Sequence, residues 1–446
     1  MVAAPDIVAG RLPEAVLDAA FTDLKPPLTA HAAKVAAERC LFCWDAPCMR
    51  ACPTTIDVPL FIRQIATENR IGAARTILSS NILGATCARV CPTETLCEEV
   101  CVRVASEGKP VEIGRLQRFA TEAVVEAGVQ LVERAPATGK RVAVVGAGPA
   151  GLAAAHELAR LGHEVTIHEA SGLPGGLNQT GLAAYKETAN IAQIEAEWVL
   201  GIGGITVETN SRLGRDVTLY GLTAEYDAVF LGIGLGGTND LGLADDLAGV
   251  EDAVAWIARL RSAASLAAVP VGRRVVVIGG GMTAIDAATQ AKRLGAEEVT
   301  IAYRRGVDAM GASAHERDIA RLDDVMLRTG LAPKTVIGEA GRVTAVAFEK
   351  TKIEGGRVVG TGETVTIACD QVLKAIGQTL LSADLGEGGV TVEGGRIVVD
   401  GEGRTSNPKV WAGGDCTGSG RDLTVEAVAA GRDAARSIDR ALCAAI

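Results

Sequence analysis

Aromatic residues and basic charge are both scarce in this sequence. Aromatic side chains make up 3% of its 446 residues, and 44 lysines and arginines stand against 54 aspartates and glutamates, a net charge of −10. No basic stripe offsets that charge, which argues against nucleic acid as a partner. No apolar run approaches the ~20 residues that span a bilayer, and nothing at the N-terminus resembles a secretory signal. We therefore expect a cytoplasmic protein that does not act at a membrane.

Small and apolar residues are abundant instead. Hydrophobic residues reach 48% and glycine occupies 53 positions, which indicates large cores with many tight turns and close backbone approaches. The length predicts about three domains. Eight of the 11 cysteines fall within residues 40–101. The other three, Cys369, Cys416 and Cys443, stand alone, and we expect them to be small buried residues.

Two cysteine runs organise the N-terminal part of the chain. They are Cys40-x2-Cys43-x4-Cys48-x3-Cys52-Pro53 and Cys87-x3-Cys91-Pro92-x4-Cys97-x3-Cys101. A cubane iron–sulfur cluster requires four thiolates from short loops, and a proline after a ligand keeps the chain out of helix. Structural zinc favours two Cys-x2-Cys pairs, and disulfides suit secreted chains. The runs therefore predict two [4Fe–4S] clusters.

A polar residue lies beside a predicted apolar stripe after the second run. A helix is predicted from about Ile113 to Ala127, with Ile113, Leu116, Ala120 and Val124 on its buried side. Gln117 lies on or next to that stripe, and a buried amide needs a polar partner. The amide either hydrogen-bonds to backbone or points at a cluster.

The position of Cys87 keeps both alternatives open. Cys87 stands outside the Cys-Pro run that resembles a ligand loop. If Cys87 is a ligand, eight thiolates fill two clusters. If it is not, one cluster is a thiolate short, and an amide oxygen such as that of Gln117 could complete it.

A first dinucleotide-binding pattern begins at Arg141. A buried strand leads into a G-x-G-x-x-G loop that starts at Gly146, and a helix is predicted over residues 152–161. The next strand, residues 164–168, ends at Glu169, which can accept hydrogen bonds from a ribose. The glycines let a pyrophosphate lie on the helix N-terminus. Since strand, helix, second strand and terminal acid are all present, the pattern is specific.

A second copy of this pattern begins at Arg274. Its glycine loop is Gly279-Gly280-Gly281, and its second strand ends in Arg304-Arg305. An acid at that point would favour NAD, whereas two arginines suit the 2′-phosphate of NADP. The alternative is that the arginines form a solvated charged turn.

The end of the chain completes the first pattern. A strand ending in Gly413-Gly414-Asp415 precedes a helix predicted from Thr424 to about Leu442. The acid can hold a ribityl chain, and the helix dipole favours the negative charge of a reduced flavin. Gly175-Gly176-Leu177 fits a loop whose backbone approaches the same flavin. The first nucleotide domain is therefore predicted to be interrupted by the second.

Two further segments have predicted secondary structure. A helix with Asp57 as N-cap and Pro59 in its first turn is expected to run to about Ser80, with Phe61, Ile65 and Ile71 on its apolar side. Residues 341–400 are expected to alternate short strands and turns.

Three stretches resemble one family. ERCLFCWDAPCMRACPTTIDVPLFIRQIA, NILGATCARVCPTETLCEEVCVR and IGRLQRFATEA are similar to the N-terminal half of dihydropyrimidine dehydrogenase, and more specifically to its separate bacterial electron-input subunit, the PreT type. The similarity covers essentially the whole chain. It implies an α/β chain with an N-terminal helical two-cluster domain followed by two Rossmann-like domains, the second inserted in the first. The expected boundaries are 1–135 for the cluster domain, 136–245 and 376–446 for the FAD domain, and 246–375 for the NAD(P) domain.

The resemblance also implies ligands and contacts. One cluster would take Cys40, Cys43, Cys48 and Cys101, and the other Cys52, Cys91, Cys97 and Gln117, which makes Cys87 a bystander. FAD would meet Gly146, Gly148, Pro149, Ala150, Gly151, Leu152, Glu169, Gly175, Gly176, Leu177, Gly414, Asp415 and Thr424. NADPH (or NADH) would meet Gly280, Gly281, Met282, Thr283, Arg304, Arg305, Ala375, Ile376 and Gly377. The family often has a further arginine where this chain has Ala309-Met310-Gly311, which weakens the expectation of NADPH.

In such a protein, electrons pass from NAD(P)H through FAD and two clusters to an FMN-containing partner that reduces uracil or thymine, in an expected heterotetramer. No side chain of this chain is then expected to act as a catalytic acid or base. The alternative is the small subunit of glutamate synthase, which shares the architecture. A regulatory flavin-binding module without turnover is disfavoured by the two complete nucleotide patterns.

Overall fold

The computed structural model describes residues 7–243, 246–386, 388–418 and 420–443. The chain divides into two compact units. The smaller unit comprises residues 1–24, 180–188 and 238–378, and the larger unit comprises residues 25–179, 189–237 and 379–446. Among the described residues, no helix combines the length and apolarity needed to cross a membrane.

The helices of the described residues are α1 (Glu14–Ala20), α2 (Ala30–Glu38), α3 (Pro47–Ala51), α4 (Val58–Ala66), α5 (Arg70–Leu78), α6 (Gly84–Val90), α7 (Val102–Glu107), α8 (Ile113–Glu126), α9 (Pro149–Arg160), α10 (Leu177–Thr180), α11 (Ile191–Leu200), α12 (Leu219–Glu225), α13 (Ala253–Arg261), α14 (Met282–Arg293), α15 (Ala314–Leu322) and α16 (Thr424–Cys443).

The strands are β1 (Ile7–Val8), β2 (Arg141–Val145), β3 (Glu164–Glu169), β4 (Ile205–Thr209), β5 (Ala228–Leu231), β6 (Gly237–Thr238), β7 (Val250–Asp252), β8 (Val271–Gly272), β9 (Arg274–Gly279), β10 (Glu298–Tyr303), β11 (Met326–Thr329), β12 (Leu331–Glu339), β13 (Arg342–Glu354), β14 (Arg357–Ala368), β15 (Gln371–Ala375), β16 (Gln378–Thr379), β17 (Val392–Glu393), β18 (Arg396–Ile397) and β19 (Val410–Ala412).

A five-stranded parallel sheet forms the centre of the larger unit. Its order is β19-β5-β2-β3-β4. Strand β19 follows the chain's return from the smaller unit, so the prediction that the first nucleotide domain is interrupted and completed near the C-terminus is confirmed. Helices α9 and α16 pack closely, since a Cβ on Gly431 would overlap the carbonyl oxygen of Ala150.

The smaller unit contains a second parallel sheet and an antiparallel one. The parallel order is β11-β10-β9-β15-β7, and β12-β13-β14 form the antiparallel sheet. Strands β13 and β14 have 13 and 12 residues, so the expectation of short strands was wrong for the first half of the segment 341–400. It is confirmed for the second half, where β15 to β18 have two to five residues each. Gly355 and Gly356 make the turn between β13 and β14, while Gly360 and Gly362 lie inside β14.

Helices α2 to α8 form the N-terminal part of the larger unit. The prediction of a single helix to Ser80 was wrong, because the helix is interrupted between α4 and α5. At the break Glu68 has a left-handed φ of 64°, and the Asn69 side chain accepts a hydrogen bond from the Gly72 amide at 2.9 Å, which starts a new helix. The Asp57 cap is confirmed, since its carboxylate accepts from the Leu60 amide at 3.0 Å. Ile71 lies at the surface rather than on a buried side.

The isolated cysteines differ in burial. Cys369 and Cys416 are buried, as predicted, but Cys443 is exposed. Cys443 is the last residue of α16, where the helix ends at the surface, and the prediction that it is buried was wrong.

Candidate cofactor sites

Four cysteines from both runs form the first group, which we define as Cys40, Cys43, Cys48 and Cys101. Burial raises the pKa of the Cys40 thiol, and the nearby Cys43 and Cys101 add to the rise. Burial raises the pKa of Cys48 to about 11, again with Cys40 and Cys101 as neighbours. The fold thus brings Cys101 from the second run to three cysteines of the first run.

Cys52, Cys91 and Cys97 form the second group. A hydrogen bond with the Cys87 thiol, together with burial, raises the pKa of Cys91, and Cys97 and Cys52 contribute to that rise. Burial raises the pKa of Cys97, with Glu98, Cys52 and Cys48 as further causes. Since Cys48 belongs to the first group, the two groups are neighbours.

A four-iron cluster and a zinc ion require different spacings of their ligands. Within the described residues, no three His, Cys, Asp or Glu side chains converge tightly enough to hold one ion. In a four-iron cluster each sulfur ligand binds a different iron, so the ligands stand farther apart than around zinc. Cluster binding would displace the protons from these buried thiols, because the thiolate is the ligand.

Gln117 is buried on α8 beside the apolar stripe, as predicted. Its Nε2 donates a hydrogen bond to the carbonyl oxygen of Gly84 at 2.8 Å. This bond uses the amide nitrogen and leaves the oxygen as the end that can ligate iron. The two alternatives of the sequence, a backbone bond or a cluster ligand, are therefore compatible, since the amide has two ends.

Cys87 lies in the middle of α6, a helix that the sequence did not predict. Its side chain is buried in an apolar cluster with Leu96 and Val425, and its thiol is hydrogen-bonded to Cys91. Cys87 therefore remains the competing eighth ligand on grounds of position, and variants of Cys87 and Gln117 distinguish the two ligand sets.

The first glycine loop forms an open cradle at the N-terminus of α9. Gly146 has a φ of 94°, and a Cβ on Gly151 would overlap the Gly146 carbonyl oxygen, so both positions require glycine. A Cβ on Gly148 would meet no atom closer than the Gly176 Cα, at 3.9 Å. The open space at Gly148, in front of a helix N-terminus, fits a pyrophosphate.

Glu169 is fixed at the end of β3 by two backbone amides. Its Oε2 accepts from the Ala147 amide at 2.7 Å and its Oε1 from the Ser171 amide at 2.8 Å. A carboxylate offers about four acceptor sites, so both oxygens can still accept from ribose hydroxyls. The backbone therefore preorganises Glu169 beside the glycine loop.

The C-terminal segment joins the same cradle. Gly414 has a φ of 77°, and a Cβ there would stand 2.9 Å from the Cβ of Ala150 in the first turn of α9. Burial raises the pKa of Asp415 to about 6. The Thr424 hydroxyl at the start of α16 donates to Oδ1 of Asn178 at 3.0 Å. The predicted flavin contacts therefore converge, and Asn178 is a member of the site that no sequence signal indicated.

The second cysteine group adjoins this cradle. Leu423 and Val425, on either side of Thr424, pack in one apolar cluster with Cys87, Leu96 and Cys91. Within the larger unit, the second cysteine group is therefore next to both the predicted flavin contacts and the first cysteine group.

The second glycine loop, in the smaller unit, has the same open form. Gly279 has a φ of 154°, and a Cβ there would overlap the carbonyl oxygen of Ala375, its neighbour on β15. A Cβ on Gly281 would meet nothing within 4 Å at the N-terminus of α14. Gly311 lies near Gly281, since a Cβ added to Gly311 would stand 3.8 Å from the Gly281 Cα. The loop and the Ala375–Gly377 segment therefore meet at the carboxyl ends of adjacent parallel strands.

Arg304 and Arg305 follow directly after β10, and both are exposed. Their backbone is held in place, since the Thr351 hydroxyl donates to the Arg304 carbonyl oxygen at 2.7 Å. Within the part of the chain that the structure describes, we find no ion pair for either guanidinium. Both are available to a phosphate beside the glycine loop.

A buried charge network near the second glycine loop was missed by the sequence analysis. The Lys186 ammonium lies 2.7 Å from Asp286 on α14 and 2.6 Å from Glu316 on α15. All three side chains are buried, and removing one member of such a network is strongly destabilising. Asp286 follows the glycine loop in sequence, but nothing in the sequence identified Lys186 as its partner.

Two family profiles match the chain. Residues 18–129 match "dihydropyrimidine dehydrogenase domain II, 4Fe-4S cluster", and residues 140–431 match "pyridine nucleotide-disulphide oxidoreductase". Among curated proteins, the chain is 36% identical to the NAD-dependent dihydropyrimidine dehydrogenase subunit PreT of Escherichia coli O157:H7, over 93% of this chain and 96% of that protein. It is 34% identical to the putative oxidoreductase AegA of Escherichia coli K12, over 94% of this chain and 67% of that protein.

Solved structures share the fold. Mycobacterium tuberculosis FprA in complex with NADPH superposes with a TM-score of 0.57 at 19% identity, covering 70% of this chain and 86% of FprA. The thioredoxin reductase of T. acidophilum gives a TM-score of 0.54 at 21% identity, covering 68% and 99%. These similarities support the predicted pair of Rossmann-like domains.

Proposed function

The chain belongs to the family of PreT subunits of NAD-dependent dihydropyrimidine dehydrogenase and is an NAD(P)H-dependent oxidoreductase, and we propose that it is the electron-input subunit of such an enzyme. It passes electrons from NAD(P)H to an FMN-containing partner that reduces uracil or thymine, in a heterotetramer. The alternative function, a glutamate synthase small subunit, is disfavoured by the relatives named above and by the glutamine at position 117, where the family resemblance implies a cluster ligand.

One observation carries this proposal: the order of sites within the larger unit. The flavin-contact residues, the second cysteine group and the first cysteine group adjoin one another in that order. We propose that each group holds one [4Fe–4S] cluster, the first by its four cysteines and the second by Cys52, Cys91, Cys97 and Gln117. When bound, FAD accepts two electrons as a hydride and the clusters accept them singly.

The chain's own residues bind and position these groups. Gly146 to Leu152 would cradle the FAD pyrophosphate, Glu169 would hold the ribose, and Gly175–Leu177 with Gly414, Asp415 and Thr424 would hold the rest of the cofactor. The apolar cluster of Leu96, Leu423 and Val425 would exclude water between the flavin contacts and the second cysteine group. No side chain has to move a proton to a pyrimidine, because we place the pyrimidine pocket on the partner.

Gly280 to Thr283 and Ala375 to Gly377 would bind the nicotinamide coenzyme, with Arg304 and Arg305 at its 2′-phosphate. The two free guanidinium groups support NADPH. The relatives are named NAD-dependent, which supports NADH as the second candidate. The ratio of kcat/KM for the two coenzymes decides between them.

We expect the isolated chain to oxidise NAD(P)H with a dye as acceptor and to leave uracil untouched. Adding the FMN-containing subunit should start uracil reduction at the expense of NAD(P)H, measured as loss of uracil absorbance. The partner subunit with NAD(P)H but without this chain is the control and should be inactive. Uracil reduction by this chain alone would contradict the proposal, as would an active dye reductase that fails to drive the partner.

A further inference from the structure

Exposed apolar side chains surround the first cysteine group. We call Leu41, Trp44, Val100 and Val102 the apolar collar. Trp44 is fully exposed, Leu41 is 51% exposed, and the two valines are 39% and 42% exposed. Exposed apolar residues are ordinary when scattered singly, but a cluster of them marks an interaction site.

Each member of the apolar collar is joined by a peptide bond to a cysteine of the first cysteine group. Leu41 follows Cys40, Trp44 follows Cys43, and the two valines flank Cys101. Cys40 has both Cys43 and Cys101 as electrostatic neighbours. The four residues therefore belong to chain segments that meet at the same group of thiols, although they come from two distant stretches of sequence.

Charged residues of both signs lie beside the collar; Glu99, next to Val100, is exposed, and several others are paired with one another. Arg39 lies 2.9 Å from Glu107, and Arg103 is also paired with Glu107. Arg50 lies 3.5 Å from Asp45, the residue after Trp44. These pairs give the collar no strong charge of one sign, so a partner has little to gain here from opposite charge.

We propose that the apolar collar is the docking face for the FMN-containing subunit that accepts the electrons, and that this subunit presents an apolar, weakly charged surface to it. This inference rests on the proposed function and adds the face and the type of contact. The first cysteine group is the one remote from the flavin contacts, so electrons leave from it. Since electron transfer slows steeply with distance, the acceptor has to dock where that group approaches the surface.

The electrons balance across this face. Each NAD(P)H becomes NAD(P)+ and releases two electrons and one proton. The electrons cross the docking face one at a time, and the FMN of the partner takes up both together with two protons, one of them from solvent. No other oxidant or reductant is needed.

The test uses the full chain with its cofactors, and the variant Trp44→Asp. A buried tryptophan is often a dominant contact of an interface. We therefore expect affinity for the FMN-containing subunit, measured by calorimetry, to fall about tenfold or more, with a matching rise in the partner concentration that half-saturates uracil reduction. Dye reduction and iron content should stay at the wild-type level. Leu41→Asp should act in the same direction and replaces Trp44→Asp if that variant loses iron.

Tyr220→Asp is the matched control. Tyr220 is 79% exposed on α12 of the same unit and lies outside the collar, so its replacement should leave affinity and both activities unchanged. Raising the salt concentration should change the wild-type affinity by no more than roughly threefold, because the contact is apolar.

Unchanged partner affinity in both collar variants would overturn the proposal, and so would a steep salt dependence. If the collar instead joins two copies of this chain, the wild type would be a dimer and Trp44→Asp would convert it to a monomer, with its affinity for the FMN-containing subunit intact. That result would also overturn the proposal. Failure of the proposed function is distinct, because the wild-type chain itself would then reduce the dye but never drive the partner.

Discussion

Gln117→Leu is expected to cost the chain one of its two clusters, or to convert that cluster to a three-iron form, while the FAD and the other cluster remain. Leucine fits the apolar stripe of α8 but supplies no oxygen, so one iron is left without a protein ligand. If Gln117 served only its bond to the Gly84 carbonyl, the same change would cost about 1–3 kcal/mol of stability with iron retained. Iron analysis and low-temperature EPR of the purified variant measure the difference.

Cys87→Ser is the matched control for this experiment. Cys87 is buried and hydrogen-bonded to Cys91, so it is the competing candidate for the eighth ligand. We expect Cys87→Ser to keep the iron content and EPR spectra of the wild type. Full iron in Gln117→Leu together with lost iron in Cys87→Ser would refute the glutamine ligand and establish eight thiolates.

Arg304→Ala combined with Arg305→Ala is expected to raise the KM for NADPH by tenfold or more and to change the KM for NADH little. Hydrogen bonds to a charged group contribute about 1.5–3 kcal/mol each, so loss of the pair exceeds a factor of about ten. Both side chains are exposed at the end of β10, so the fold should tolerate the change. Steady-state kinetics with each coenzyme and a dye acceptor give the two KM values.

The control for the arginine pair is Arg342→Ala with Arg357→Ala. These two arginines are also exposed, on β13 and β14 of the same unit, and their loss changes the net charge equally. Their replacement should leave both KM values unchanged. Equal effects of the Arg304 and Arg305 changes on NADPH and NADH would mean that the arginines form only a solvated turn.

The features that local chemistry dictates could be predicted from the sequence. The two glycine loops, with their strands and helices, were predicted from two features together. Glycines at fixed spacings, followed by an acid or arginines at the end of the second strand, fit few structures other than a dinucleotide-binding unit. The burial of Gln117 was predicted because the stripe of α8 is periodic. The roles of these residues toward cofactors remain predictions for the experiments above.

Other features could not be predicted, either because local side-chain bonds oppose an apolar pattern or because the partners are distant in sequence. The break at Glu68 follows from side-chain bonds of Thr67 and Asn69 that compete with the helix, and the apolar pattern of the segment concealed it. The partnership of Lys186 with Asp286 and Glu316 joins three separate segments. The exposure of Trp44 could not be inferred either, because a tryptophan between two cysteines is equally consistent with burial.

Joint iron and flavin analysis of the anaerobically purified chain tests whether it holds one flavin and two clusters, the carriers of the proposed electron path. We expect about eight irons and as many acid-labile sulfides per chain, with one FAD. About four irons per chain, or zinc in stoichiometric amount, would contradict it.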